Sequence, residues 1–203
     1  EIFCPADLDL PRDPRIAKIV SGWPVHNPLV RTVWERFVLR RYLRGSKADI
    51  LFCPGGVVAT RPPEGCQTVT MFRNMMPFDP EVYKRLPSSL QKIRNYILRH
   101  AMLRSMKSAD LTIFISDFAR SCMDKIAVIP NAVTIPHGIA ESFKWSHHDL
   151  PRPEALSRKP YLLYVSRFEI YKHHYQVVQA FSLLPKAMQS KYDLLLVGEH
   201  NFD

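Results

Sequence analysis

Arg167 and Lys172 stand five positions apart, directly after the apolar run YLLYVS and directly before the run HHYQVVQAF. A loop between a strand and a helix can present two cations toward the cleft between two domains. That pair suits a diphosphate leaving group. As the bond from a sugar to a nucleoside diphosphate breaks, negative charge collects on the bridging oxygen, and fixed positive groups stabilise it. A helix beginning near His173 adds its own partial positive charge. Spacing alone fits a solvated loop pair as well. Other polar or flexible residues follow apolar runs in the same manner: Gly55-Gly56, Arg73-Asn74, Ser116-Asp117 and His137-Gly138. Paired glycines let a ligand approach the backbone closely, and a strand-ending turn uses the same residues. His137-Gly138 reads equally as a turn. The pairs His147-His148 and His173-His174 are metal ligands by type only. Adjacent helical residues point about 100° apart, and no acidic residue stands at ligand spacing, so no metal is expected.

The elements that would carry these residues are legible as apolar periodicity. ILFC, TVTMF, LTIFIS, IAVIP, YLLYVS and DLLLVG, at 50–53, 68–72, 111–116, 126–130, 161–166 and 193–198, predict strands. Between Ile16 and Val20 the pattern fits a strand or a short helix. Residues 29–46 predict a helix in which Val30, Trp34, Val38 and Tyr42 form an i+4 row beside Val33 and Phe37. Arg36, Arg40 and Arg44 form a second row on roughly the opposite face. A helical stretch over 80–107, interrupted at Pro87, sets Leu90, Ile93, Ile97 and Ala101 on one side. Asp117 is placed to cap a short helix over 117–125. Residues 141–160 are polar and punctuated by prolines, as in a linker. Strands alternating with helices predict an α/β fold, a parallel sheet with helices on both faces. In such sheets ligands bind beyond the carboxyl ends of the strands, where the residues above fall.

Composition sets the class. The 203 residues are 46% hydrophobic, as in a soluble globular protein. No apolar run approaches the ~20 residues that span a bilayer, and no leader-like segment opens the chain. The four cysteines form no C-x-x-C pair, which favours reduced thiols and the cytosol. A start without Met and an end just past a strand predict a piece of a longer protein. The net charge of +9 points to nucleic acid, an anionic membrane face or a phosphorylated substrate, or to simple solvation. The basic stretches 31–44 and 84–107 suit anionic lipid. No RNP, zinc-finger or KH signature is present, so no nucleic-acid partner is expected.

The run V-S-R-x4-K, followed by a helix and LLLVG, resembles the opening of the C-terminal domain of family 4 retaining glycosyltransferases, which have the GT-B fold. ADLTIFISDFARSCM at 109–123 resembles the family's AD-strand-Ser-x3-Arg step, and VTIPHGIAESF at 133–143 its passage into the second domain. ADILFCPGG at 48–56 and VTMFRNMMPF at 69–78 resemble two earlier strands whose loops face the acceptor. The similarity covers about 48–198, with its motifs in the family's order. It implies a GT-B type fold of Rossmann-like parallel sheets: an acceptor-side domain over 1–142, a hinge over 143–159 and the start of a donor-binding domain over 160–203. The implied reaction moves a hexose, with retention, from a nucleoside-diphosphate sugar to a saccharide or lipid-linked acceptor. Arg167 and Lys172 would hold the diphosphate, with His137 and Gly138 on the donor side. Gly55, Gly56, Arg73, Asn74 and Ser116 would face the acceptor. No metal or cofactor is implied, and the location implied is the cytoplasm, with peripheral contact at a membrane's cytoplasmic face. Two departures stand out. Arg73-Asn74 occupies the place where many relatives carry a histidine. The family's Glu-x7-Glu motif would lie beyond Asp203, and its glycine-rich loop before Glu1, which implies a fragment inactive by itself. The rival readings are a GT-B sugar-nucleotide epimerase and a basic nucleic-acid-binding module.

Overall fold

A computed structural model describes residues 1–25, 27–86, 88–141, 156 and 159–199. The chain divides into two units, Glu1–His137 and Gly138–Asp203. Each is α/β, and every strand pairing among the described residues is parallel.

In the first unit β1 (Ile2–Phe3) pairs with β2 (Lys18–Ile19). A four-stranded sheet then runs in chain order: β3 (Ile50–Cys53), β4 (Gln67–Phe72), β5 (Leu111–Phe114) and β6 (Ala132–Thr134). Period-2 alternation sends Thr68, Thr70 and Phe72 of β4, and Thr112 and Phe114 of β5, into the buried face. Phe72 lies 5.4 Å from Phe78 and 5.5 Å from Phe114, ring centre to ring centre, in a core completed by Met102, Met106 and Met123. Buried hydroxyls need partners. Thr70 donates to the Cys53 carbonyl at 3.2 Å and Thr112 to the Met106 carbonyl at 3.1 Å.

One expected strand is displaced. The run 126–130 forms no strand: the amides of Ile126 and Ala127 both donate to the Met123 carbonyl and close the end of α5 (Asp117–Asp124). The chain enters the sheet only when Thr112 donates to the Asn131 carbonyl.

The predicted helix over 29–46 forms as α1 (Pro28–Trp34), a π-helical turn (Glu35–Leu39) and α2 (Arg40–Ser46), capped by the Asn27 side chain. The π turn changes which residues face inward. Trp34, Leu39 and Leu43 are buried, spaced five and then four apart. The expected Val30–Trp34–Val38–Tyr42 row is therefore fully buried only at Trp34, with Val38 and Tyr42 half-buried at its edge: a wider turn advances the buried face by one residue. Val38 only flanks this second core, which also holds Leu51 and Cys66.

The second long helical stretch breaks where proline predicts. α3 (Pro80–Arg85) is capped by Asp79, and α4 (Ser89–Ser108) by Ser88. Its buried residues are Asn95, Met102, Ser105 and Met106. The Leu90–Ile93–Ile97 row faces outward, Leu90 being 76% exposed.

The second unit pairs β7 (Tyr161–Val165) with β8 (Asp193–Val197), and carries α6 (His174–Ser182) and α7 (Lys186–Lys191) between them. The expected hinge, and the pair His147-His148, lie largely outside the described residues.

Candidate functional site

In the second unit the loop after β7 is fixed from several sides. The Ser166 amide donates to the Val197 carbonyl at 2.9 Å and the Phe168 amide to the Glu199 carbonyl at 3.0 Å, extending the β7–β8 pairing past the strand ends. Gly198 permits this closeness, since a Cβ there would run into the Ser166 carbonyl oxygen. The Tyr164 hydroxyl donates to the Lys172 carbonyl. The His174 ring stacks on Phe168 at 4.4 Å and meets Tyr164 edge-on at 5.1 Å.

On this frame Arg167 reaches the Glu199 carboxylate at 3.1 Å. Both side chains are largely exposed, so the pair contributes only about 0.5 kcal/mol. It orients the guanidinium without locking it away from an anion. Lys172 ends a 3-10 turn (Ile170–Lys172), its ammonium 5.1 Å from the Tyr171 ring centre. His173 takes a left-handed conformation, φ 57°, and starts α6 without a side-chain cap. The first-turn amides of α6 are thus uncapped by its side chain, a helix end of the kind that receives anions.

The site residues expected in the first unit are placed as follows. Gly55 follows β3 in open space. Gly56 is buried at φ 81°, where a Cβ would lie 2.9 Å from Met102 Cε, so its form is dictated by packing against α4. Arg73 is exposed after β4. Asn74 accepts from the Met76 amide at 3.1 Å, and Ser116 from the Ala119 amide at 3.2 Å, so both side chains organise their own turns. Ser116, not Asp117, is the cap of α5. A residue just outside the helix has the extended backbone that aims its oxygen at the first-turn amides; Asp117 is already helical. His137 and Gly138 are exposed and fall on either side of the division between the units.

Sequence reasoning passed over Glu199, Gly198 and the Tyr164–Phe168–His174 clasp. The signal was a Gly-Glu pair directly after the last strand, matching in register the Ser-Arg pair after β7.

Burial raises the Cys53 thiol to about 11, with Glu35 adding to the effect. Burial also raises Glu35, opposed by Arg31 at 3.8 Å. Asp110 is lowered because its carboxylate accepts from the Thr68 amide at 2.7 Å and the Thr68 hydroxyl at 2.9 Å. That carboxylate ties the start of β4 to the turn before β5. Cys53 stays a neutral thiol near pH 7 and makes a poor nucleophile. Among the described residues no three His, Cys, Asp or Glu side chains converge as a metal site would require.

Residues 1–143 match the family model described as Glycosyltransferase Family 4. No curated protein and no solved structure matches the chain.

Proposed function

Since the chain belongs to glycosyltransferase family 4, and so to the glycosyltransferases of Rossmann-like, GT-B architecture, we propose that it moves a hexose from a nucleoside-diphosphate sugar to a hydroxyl of a saccharide or lipid-linked acceptor, with retention. Arg167 and Lys172 hold the donor's diphosphate. The observation that carries this is the loop after β7, where two cations and the amides at the start of α6 stand on a frame tied by Tyr164, Gly198 and Glu199.

In this reading the C1–oxygen bond to the diphosphate breaks and the acceptor oxygen bonds to C1 from the same face. The acceptor's proton passes to the departing phosphate oxygen. The two cations stabilise the charge that grows on the diphosphate. His137 and Gly138 serve the donor side. Gly55 and Arg73, both exposed, serve the acceptor side, Gly56 and Asn74 shape the turns beside them, and Ser116 serves the same side from the cap of α5.

No helix among the described residues is long and apolar enough to cross a membrane. The outward row Leu90, Ile93 and Ile97, beside Lys92 and Arg94, supports peripheral contact with an anionic cytoplasmic leaflet.

The test is transfer by the full-length protein from a nucleoside-diphosphate hexose. Arg167→Ala and Lys172→Ala should each lower turnover by about a hundredfold, the usual loss for one preorganised charge-stabilising group. Unchanged turnover, or conversion of the donor into its epimer with no transfer, overturns the reading.

A further inference from the structure

Five arginines and one aromatic ring line a pocket of about 430 Å³ in the first unit: Arg36, Phe37, Arg40, Arg41, Arg44 and Arg61. No carboxylate lines it. None of the five guanidiniums has a hydrogen bond or ion pair to another described residue, and Arg40 Nε is buried without a hydrogen-bond partner. Glu35, the acid nearest in sequence, is turned toward Arg31 instead.

The helix geometry makes the cluster. On a regular helix Arg36, Arg40 and Arg44 would share one face, while Arg41 would stand about 100° away from Arg40. The π turn over Glu35–Leu39 widens the helix by one residue there, and so brings Arg36 into line with Arg41 as well as Arg40. Arg61 closes the pocket from the long connection between β3 and β4. Guanidinium stays charged at any pH the protein meets, so the cluster repels itself until an anion enters.

We propose that this pocket binds a phosphate-bearing ligand, a phosphomonoester or diphosphate group, through residues of the first unit alone, none of which belongs to the loop after β7. Arginine's planar fork pairs with phosphate oxygens two at a time. The half-open pocket with a single aromatic suits one compact, multiply charged group. A single-stranded nucleic acid would call for a groove with successive stacking rings. The group reaches the pocket either on a lipid headgroup or on a small soluble molecule, and both present the same oxygens. The inference does not depend on the donor-site reading.

The test uses the chain carrying Arg167→Ala and Lys172→Ala, which removes the donor loop's cations. Inorganic pyrophosphate in one arm, and monomeric dihexanoyl phosphatidic acid in the other, are titrated by calorimetry. Saturable binding is expected, weakening as salt rises. Adding Arg36→Gln and Arg41→Gln, both exposed positions, should weaken it by about tenfold or more, the worth of one or two charged hydrogen bonds. Arg36→Lys with Arg41→Lys keeps the charge and the fold, and should fall between. Tighter binding of the phosphatidic acid assigns the site to a lipid headgroup, and tighter binding of pyrophosphate to a soluble ligand. Absence of binding in the starting variant, or binding that the arginine substitutions leave unchanged, overturns the proposal.

Discussion

At Gly198 the constraint is steric and severe, because any side chain collides with the Ser166 carbonyl at the start of the loop after β7. Gly198→Ala should therefore force the β7–β8 ends apart, costing on the order of 3 kcal/mol, as overpacking does. Circular dichroism melts would detect it, and an unshifted midpoint would contradict the geometry. Asp110 acts through charge. Its lowered carboxyl supplies stability that is present above the ordinary value of 3.8 and is lost as pH falls through its folded value. Asp110→Ala should cost about 1 kcal/mol at neutral pH, discounted for the group's exposure. That difference should shrink in acid, which urea titrations at a series of pH values would follow. Cys53, pushed up to about 11, should resist alkylation by iodoacetamide at pH 7.5 until the protein unfolds. Mass mapping of the modified thiols would check this. In the sequence all three appear only inside longer runs, Cys53 in ILFC, Asp110 in ADLTIFIS and Gly198 in DLLLVG, with no role of their own. Asp110 and Gly198 act through contacts between segments far apart in the chain, such as Thr68 with Asp110, and local pattern carries no trace of them.

Among the elements, the helix before β3 separates what periodicity can show from what it cannot. Its existence over 29–46 is plain in the sequence, but the Asn27 cap and the inward face are not. A single π turn moves burial from the Val38 position to Leu39. Leu39→Ala should cost about 3 kcal/mol through its cavity, while Phe37→Ala, at a site 64% exposed, should change stability by under ~0.5 kcal/mol. Equal effects at the two positions would mean that the helix is regular. α4 shows the same limit for a different reason. Apolar residues stand all round it, so the buried set of Asn95, Met102 and Met106 was not distinguishable from the outward Leu90–Ile93–Ile97 row. The strands were read more faithfully, since β4, β5, β7 and β8 are short apolar runs with clear boundaries. IAVIP failed because its two leading amides complete a helix end. In the candidate site, type and spacing singled out Arg167 and Lys172 but fitted a solvated loop pair as well, and the family resemblance gave them a role. Their support by Tyr164, His174 and Glu199 was not legible, because it depends on how two strand ends meet.

For the molecule as a whole, alternation of strand and helix implied parallel sheets, and every described pairing is parallel. Membership of glycosyltransferase family 4 rests on residues 1–143, while the loop at 166–173, which we propose holds the donor, lies past them. The part of the proposal that concerns the donor therefore rests on that loop's own geometry and not on the matched region. Within the first unit the buried side chains fall into two sets. One surrounds Phe72 and Phe114, and the other surrounds Trp34 and Leu43. Each set has its own helices, α4 and α5 for one and the π-turned helix for the other. The unit consequently has two places at which it can open. Amides of β4, β5 and α4 should exchange with deuterium only through global unfolding. Those of α1 and α2 should exchange through a smaller, cheaper opening that leaves the central strands intact. With Trp23 and Trp145 replaced by Phe, Trp34 fluorescence would report that smaller event, so its transition in urea should precede the loss of secondary structure seen by far-ultraviolet circular dichroism.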